Sequence, residues 1–203
     1  ARRILAGTAE PDTRQNAQHI ETNSRRLLGL VNQLLDMAKL ENGSMGLDLR
    51  LGDLKTQMRL MLRSFQPLAE RRDIDLSLKI PNDIPPFMFD TGKLDLVLNN
   101  LISNALKFTP AGGKVTVVCE NRSAAHNRIQ ISVTDTGVGI PGDELDKIFD
   151  RFYQADASHT RTSEGTGIGL ALSKELVQIM GGHITVASKA GHGSTFTFFI
   201  PFL

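Results

Sequence analysis

The sequence contains a single cysteine and an almost balanced charge, and these two features exclude several classes of protein. Cys119 has no partner for an intrachain disulfide. Because it falls within the alternating run KVTVVCE, we interpret it as a strand residue in a reducing compartment rather than as a catalytic thiol. Lysine and arginine number 23 against 22 aspartate and glutamate, for a formal charge of +1. We therefore expect no direct contact with nucleic acid and no electrostatic attraction to an anionic membrane.

The sequence also lacks a long apolar run. No stretch approaches the roughly 20 apolar residues that cross a bilayer, so no membrane segment is expected in this chain. Ala1, Arg2 and Arg3 resemble neither a signal peptide nor a natural start, and we expect the chain to be part of a longer protein. Its 203 residues suffice for one ordinary globular domain with a smaller appendage.

The chain opens with a segment that has the pattern of a bundle helix. Residues 14–41 contain no proline and carry a seam at alternating spacings of four and three, formed by Ile20, Ser24, Leu27, Val31, Leu34 and Ala38. Leu28 and Leu35 widen this stripe, which favours packing among several helices over a two-stranded coiled coil. The glycines of residues 41–46 end the helix and predict a boundary between a helical segment, 1–41, and a second domain, 47–203.

The second domain shows an irregular mixture of strand and helix patterns. Alternating residues predict strands at 47–51, 74–80, 114–120, 128–135, 183–189 and 194–200, and helical spacing predicts helices at 53–71, 92–108, 142–150 and 168–180. Because pairs of adjacent strands are interspersed with helices, we predict an α/β fold. It would be a two-layer sandwich in which a mixed sheet carries helices on one face.

Three polar residues of the predicted helix 92–108 form the first candidate site. Asn100, Asn104 and Lys107 are spaced four and three apart, so they fall within one sector of the helix, away from the centre of its apolar stripe. Amide carbonyls are hard ligands that Mg²⁺ accepts beside phosphate oxygens, and an ammonium group can neutralise phosphate charge. The alternative is an ordinary solvated helix face.

A second candidate site begins where the strand 128–135 ends. Asp135 is followed at once by Gly137 and Gly139, which permit a tight turn with exposed backbone. A carboxylate in this position can accept a hydrogen bond from the exocyclic amine of adenine, whereas guanine would present a repelling carbonyl. An ordinary Asp-Thr-Gly turn is the alternative interpretation.

The third candidate site is a glycine-rich helix start. Gly165, Gly167 and Gly169 lead into the helix 168–180, whose free N–H groups would favour an anion such as a polyphosphate. The pattern is neither a dinucleotide-binding motif nor a P-loop, since Leu170 stands where the former needs glycine. The preceding residues 153–166 are small, polar and without period, as in a mobile lid over a ligand or, alternatively, a surface loop.

Taken in this order, the three candidates resemble the ATP-binding domain of histidine kinases. Residues 100–110 are similar to the N box of that family, 135–141 to its G1 box, 148–153 to its F box, 165–170 to its G2 box and 191–196 to its last glycine motif. The resemblance covers about the whole chain from residue 14, and five ordered motifs make it specific. It implies the Bergerat fold, with ATP in a cleft between helices and lid.

The resemblance also implies roles for individual residues. Asn104 would ligate Mg²⁺ and Asp135 would hold adenine, while Asn100 and Lys107 would act catalytically at the phosphates. The other cofactor-binding residues would be Gly137, Gly139, Ile140, Arg151, Tyr153, Gly165, Thr166, Gly167, Gly169, Leu170 and Thr195. The family often has arginine after the tyrosine of the F box. Gln154 stands there in this chain, and Arg161 or Arg151 would have to replace that phosphate contact.

Residues 14–41 resemble the second helix of the hairpin through which histidine kinases dimerise. The first helix of that hairpin should carry the phosphorylated histidine, followed by an acidic residue, a basic residue and proline. None of the five histidines has that context, and His19, on the predicted helix, is interpreted as a solvated residue. We therefore expect the chain to lack the acceptor histidine and to be unable to phosphorylate itself.

By this resemblance the longer protein would be a homodimeric sensor kinase that uses ATP and Mg²⁺ and serves the receiver domain of a response regulator. It would be anchored in a membrane, with this region on the cytoplasmic side. Two alternatives stay open. A GHKL-type ATPase would use glutamate where Asn100 stands, in order to activate water. A module without phosphotransfer would only bind ATP or dimerise.

Overall fold

The structure, a computed structural model, describes residues 11–122, 128–154 and 166–201. The chain divides into two compact units between Met45 and Gly46. The described part of the first unit contains one long helix, α1, Pro11–Glu41. The predicted seam is exposed together with the residues that widen it, since six large apolar side chains of this stripe present between 48% and 63% of their surface: Ile20, Leu27, Leu28, Val31, Leu34 and Leu35. Such a continuous apolar stripe suits contact with further helices.

The second unit contains the other elements of the described residues. Its strands are β1, Arg50–Gly52; β2, Asp75–Lys79; β3, Phe87–Phe89; β4, Lys114–Asn121; β5, Arg128–Asp135; β6, His183–Ser188; and β7, Ser194–Pro201. Its helices are α2, Leu54–Arg71; α3, Thr91–Phe108; and α4, Gly169–Ile179, with a 3₁₀ turn at Gly142–Glu144. Within the described ranges, no helix has the length and apolar character needed to span a bilayer.

Five strands of the second unit form a mixed sheet in the order β2-β4-β5-β7-β6. β2 runs parallel to β4, and the remaining neighbours pair antiparallel. Burial alternates along the strands: Ile129, Ile131 and Val133 of β5 lie in the core, whereas the residues between them are half-buried. The three helices α2, α3 and α4 all contact this sheet. The predicted α/β sandwich with a mixed sheet is therefore confirmed.

Cys119 lies within β4, as the alternating pattern predicts, and is 3% exposed. Burial, with a smaller contribution from the charge of Glu120, raises the pKa of its thiol to about 12. The thiol therefore stays protonated at neutral pH, and because the thiolate is the reactive form, Cys119 acts as a core residue rather than as a nucleophile.

The structure differs from the predictions in its shortest elements. Residues 142–150 are not an α-helix, because beyond Gly142–Glu144 there are only turns such as the bond from Lys147 N to Glu144 O, 2.9 Å. A segment this short pays the cost of helix nucleation for few hydrogen bonds. β1 begins at Arg50 rather than at residue 47. It pairs antiparallel with β3, which is too short, at three residues, to produce a periodic signal.

Helix α3 positions the first candidate site, and its start is fixed by Asp90. This buried carboxylate accepts the N–H of Lys93 at 2.9 Å and forms an ion pair with the Lys93 ammonium at 2.7 Å. It also accepts the N–H of Asp48 at 2.9 Å. Burial alone would raise the pKa of Asp90, but the hydrogen bonds from Lys93 and Asp48 hold that pKa below its ordinary value. The register of α3 against the chain that precedes it is therefore well defined.

The buried face of α3 lies at the centre of the core. Two leucines of this helix, one buried and one exposed, test how much that burial contributes to the free energy of unfolding. Leu98 is fully buried, whereas Leu96 is 43% exposed. Leu98→Ala is expected to lower the free energy of unfolding by about 2–5 kcal/mol, because it leaves a cavity. Leu96→Ala should lower it by less than about 1 kcal/mol. Urea denaturation followed by circular dichroism measures both changes, and equal effects would contradict this orientation of α3.

Candidate functional site

The polar face of α3 brings two of the predicted residues into contact. Asn100 and Asn104 are half-buried, and Asn104 Nδ2 lies 3.5 Å from Asn100 Oδ1. Asn100 Nδ2 in turn donates to the hydroxyl of Ser173 on α4 at 2.8 Å. Lys107 lies on the same face, with its Nζ 4.7 Å from the centroid of the Phe108 ring. The helix thus presents two amides and an ammonium group along one side.

The N-terminus of α4 faces Asn100. A Cβ atom at Gly169 would collide with Asn100 Oδ1, so glycine is needed for the amide to lie against this helix end. The N-cap residue, Ile168, provides no side-chain hydrogen bond, and the first turn has no acidic residue. Thr166 precedes it and accepts the Ile168 N–H at 3.1 Å, and Leu170, in the first turn, is half-buried. The first N–H groups of an α-helix have no partner within the helix, so those of this turn suit an anion such as phosphate.

Asp135 is the last residue of β5 and is 7% exposed. Its Oδ1 accepts two backbone N–H groups, from Gly137 at 2.8 Å and from Ser194 at 3.2 Å. Its Oδ2 has no hydrogen-bond partner in the part of the chain that the structure describes. Burial raises the pKa of Asp135 above its ordinary value, and the two N–H groups only partly oppose that shift. The carboxylate is held by one oxygen and can offer the other to a donor on a ligand.

The glycine turn after Asp135 packs against the connection between β6 and β7. Gly139 has a φ of +68°, and a Cβ atom there would collide with the carbonyl oxygen of Lys189. The N–H of Ile140 donates to the hydroxyl of Ser188 at 2.8 Å. The close approach at position 139 requires a residue without a side chain, which explains the glycine. The bond from Ile140 to Ser188 also holds the turn in place.

The two ends of the predicted lid meet at one point. The N–H of Phe152 donates to the carbonyl of Gly167 at 2.9 Å, and both residues have positive φ, +64° and +67°. A Cβ atom at Gly167 would lie 2.5 Å from the carbonyl carbon of Phe152. Because phenylalanine rarely adopts this backbone conformation, the pair marks a strained junction just before α4.

The remaining residues predicted near the lid are only partly described. Arg151 and Gln154 are exposed, and Tyr153 is half-buried, on the N-terminal side of the lid. Gly165 and Arg161 lie outside the described residues, so their contacts with phosphate stay predictions.

β7 turns Ser194, rather than Thr195, toward Asp135. Ser194 and Phe196 are buried on the face of the sheet that the helices cover. The Thr195 hydroxyl lies instead 3.1 Å from that of Thr134, on the opposite face. The Thr195 side chain and the Asp135 carboxylate thus lie on opposite faces of the sheet, and a contact of Thr195 with a nucleotide stays a prediction. The period of two along a strand places Ser194 on the same face as Phe196, two residues further on.

These groups fit a nucleotide that supplies most of the ligands of its own metal ion. Among the described residues, no three His, Cys, Asp or Glu side chains cluster to hold a metal. A Mg²⁺ ion that accompanies a nucleotide accepts phosphate oxygens and water beside an amide oxygen of the protein. Asn104 Oδ1 is such an oxygen, and it accepts no hydrogen bond within the described ranges. Asp135 suits a purine amine, and the start of α4 suits a phosphate.

Comparisons with known proteins agree with this geometry. A family model described as "Histidine kinase-, DNA gyrase B-, and HSP90-like ATPase" matches residues 89–203. The chain is 38% identical over 94% of its length to "Hybrid signal transduction histidine kinase D" of Dictyostelium discoideum. It is 35% identical, again over 94%, to "Signal transduction histidine-protein kinase BarA" of Escherichia coli K12. The chain spans only 12% and 21% of these two relatives.

A solved structure extends the likeness to three dimensions. Full-length ShkA in complex with AMPPNP superposes with a TM-score of 0.83 at 30% identity, covering 98% of this chain and 41% of that protein. The predicted resemblance is thereby confirmed at the level of family and fold. With its family model matched across all five motifs, the chain belongs to the histidine kinase-, DNA gyrase B- and HSP90-like ATPase family.

Proposed function

We propose that this chain is the ATP-binding catalytic region of a histidine kinase. It would bind MgATP and donate the γ-phosphoryl group to a histidine nitrogen on a dimerisation helix outside this chain. The observation that carries the proposal is the amide of Asn100. It lies on the polar face of α3 and donates a hydrogen bond to Ser173 of α4. An amide cannot act as a general base toward water, so the site favours transfer to an incoming side chain over hydrolysis. The relatives compared above are also named histidine kinases.

Adenine would be recognised by Asp135. Its Oδ2 would accept the exocyclic amine of adenine, while Oδ1 stays bonded to the backbone of Gly137 and Ser194. Guanine presents a carbonyl oxygen at the corresponding position, which would face the carboxylate acceptor against acceptor. Gly139 and Ile140 would keep the turn beside the base in its observed conformation.

The phosphates would lie between α3 and the start of α4. Asn104 would ligate Mg²⁺, and Lys107 with the first N–H groups of α4 would bind phosphate oxygens. When bound, Mg²⁺ neutralises the charge that develops on the phosphates. Asn100 would act at the phosphates beside Asn104 and Lys107. Phosphoryl transfer depends mainly on such positioning and electrostatic stabilisation, which these residues can supply without covalent chemistry of their own.

The longer protein would be a dimer that signals to a response regulator. Homodimerisation would use the exposed apolar stripe of α1, which suits a bundle with helices of a second copy. We assign residues 1–41 to that helical segment and 47–203 to the catalytic domain. The phosphoryl group would pass on to a receiver domain, and the region would work on the cytoplasmic side of a membrane.

A chain extended N-terminally through the acceptor-bearing helix provides the test. With ATP labelled at the γ position it should acquire acid-labile, alkali-stable label, as phosphohistidine does. Asn104→Ala should slow the labelling by more than about a hundredfold, because it removes the metal ligand at the site of developing charge. Asn99→Ala is the matched control, since Asn99 is exposed and its amide donates to the carbonyl of Asp95.

The possible outcomes separate the candidate functions. No label on an extended protein with an intact acceptor histidine would refute the kinase proposal. Release of inorganic phosphate without protein label would favour the ATPase alternative. ATP binding with neither reaction would favour a module without phosphotransfer. The 203-residue chain alone should bind ATP and acquire no label.

A further inference from the structure

Ser173 is a buried polar residue that lies outside every motif described above. It is 1% exposed on α4, and its hydroxyl oxygen accepts a hydrogen bond from Asn100 Nδ2 at 2.8 Å. It lies four residues after Gly169, so the two residues share one face of α4. That face contacts both ends of the Asn100 amide. The Ser173 hydroxyl accepts a hydrogen bond from Nδ2, and the missing side chain of Gly169 leaves space for Oδ1.

In the structure, the bond to Ser173 accompanies one definite orientation of both amides. With Asn100 Nδ2 directed at Ser173, Asn100 Oδ1 faces Asn104, whose Nδ2 approaches it to 3.5 Å. An amide that turns its nitrogen inward must turn its oxygen outward. Asn104 Oδ1 is accordingly left without a hydrogen bond in the described part of the chain. The Ser173 hydroxyl, the Asn100 amide and the Asn104 amide are thus linked one after another, and the carbonyl oxygen of Asn104 stands at the end.

We propose that Ser173 is a positioning residue that, through Asn100, presents the carbonyl oxygen of Asn104 rather than its NH₂ group to the metal of MgATP. The proposal rests on the proposed function, since it concerns the metal that accompanies the nucleotide. Mg²⁺ requires oxygen ligands and would be repelled by an NH₂ group, so the orientation of Asn104 decides whether it can ligate. Residues that orient a metal ligand typically change metal affinity by about 10–100-fold when they are removed.

A purely structural role for Ser173 makes a different prediction. If the bond to Asn100 only held α3 and α4 together, its loss would weaken ATP binding equally with and without Mg²⁺. If Ser173 orients the metal ligand, its removal should lower only the part of the ATP affinity that depends on Mg²⁺. The adenine contact should be unaffected, because Asp135 is held in place by the N–H groups of Gly137 and Ser194. The ratio of the ATP dissociation constants in EDTA and in Mg²⁺ separates the two cases.

Isothermal titration of this chain with ATP, in Mg²⁺ and in EDTA, measures that ratio. Ser173→Ala should keep the EDTA dissociation constant within about twofold and lower the Mg²⁺-dependent gain in affinity about tenfold. Ser173→Thr retains an acceptor hydroxyl and should restore most of the gain. Ser64→Ala is the matched control, since Ser64 on α2 bonds to the carbonyl of Met61 and lies outside the site.

A Ser173→Ala protein with an undiminished Mg²⁺-dependent gain overturns the proposal, and so does one that loses affinity equally in both conditions. Thermal unfolding in EDTA shows whether the variant is folded. If it is not, Ser173→Cys provides a weaker acceptor of similar size and should show a smaller loss of the same kind. Failure of the wild-type chain to bind ATP would refute the proposed function instead. In that case the NMR signals of the Asn104 side-chain amide decide: Ser173→Ala should shift them if Ser173 orients Asn104 through Asn100, and unchanged signals overturn the proposal.

Discussion

Asp135→Asn is expected to weaken ATP binding by at least about a hundredfold. The N–H groups of Gly137 and Ser194 require an oxygen at the position of Oδ1. The NH₂ of the introduced asparagine would therefore take the position of Oδ2 and face the exocyclic amine of adenine, donor against donor. Titration calorimetry, or displacement of a fluorescent ATP analogue, measures the loss. GTP, which wild type should bind poorly, provides the comparison for base recognition.

The same substitution should leave the nucleotide-free protein at least as stable as wild type at neutral pH. Burial raises the pKa of Asp135, so the native state binds this proton more tightly than the unfolded chain does. The resulting cost is absent below the ordinary carboxyl pKa, grows as the pH rises toward the raised pKa, and is constant above it. Asp135→Asn removes this cost. A folded Asp135→Asn protein with wild-type affinity for ATP would contradict the adenine contact.

Gly191 and Gly193 should separate the effect of backbone strain from that of close packing. Both have left-handed φ values, +79° and +84°. A Cβ atom at Gly191 would meet nothing within 4 Å, whereas one at Gly193 would collide with the carbonyl oxygen of Asp135. Gly191→Ala is expected to cost about 1–2 kcal/mol of folding stability through strain. Gly193→Ala should cost about 2–5 kcal/mol, because overpacking is added to strain.

ATP binding should distinguish these two variants more sharply than stability does. Gly193 directly precedes Ser194, whose N–H holds Asp135 Oδ1. A backbone shift at Gly193 would therefore misplace the carboxylate, with an expected loss of affinity above about tenfold, whereas Gly191→Ala should stay within about twofold of wild type. Urea denaturation and titration calorimetry on the pair provide both readouts. Equal losses in the two variants would show that strain alone matters at this turn.

The sequence predicts the long elements and the glycine turns because their signals are local. Apolar spacing predicts α3 at 92–108, and it is observed at Thr91–Phe108. Alternation predicts β5 at 128–135, which is its observed range. In both cases the period of the apolar residues records which face is buried. Asp135 is recognisable for a similar reason, since a carboxylate followed by two glycines within four residues indicates a turn with exposed backbone.

Contacts between segments that are far apart in the sequence produce no local pattern of this kind. Ser173 meets Asn100 across 73 residues, and the N–H of Ser194 meets Asp135 across 59. Their importance depends on α4 lying beside α3 and on the pairing of β7 with β5, which tertiary packing determines. Short elements are unpredictable for a second reason. Residues 142–150 have helical spacing but too few hydrogen bonds to form an α-helix, because tertiary context outweighs weak local propensity.

The hydrogen bond between Phe152 and Gly167 holds these two residues side by side, although fourteen residues separate them in the sequence. Residues inserted between them would lengthen a segment whose two ends are already joined, without pushing those ends apart. Each doubling of such a loop adds only about 0.6 kcal/mol of closure entropy. Variation in length between Phe152 and Gly167 is therefore expected to leave the first turn of α4 in place.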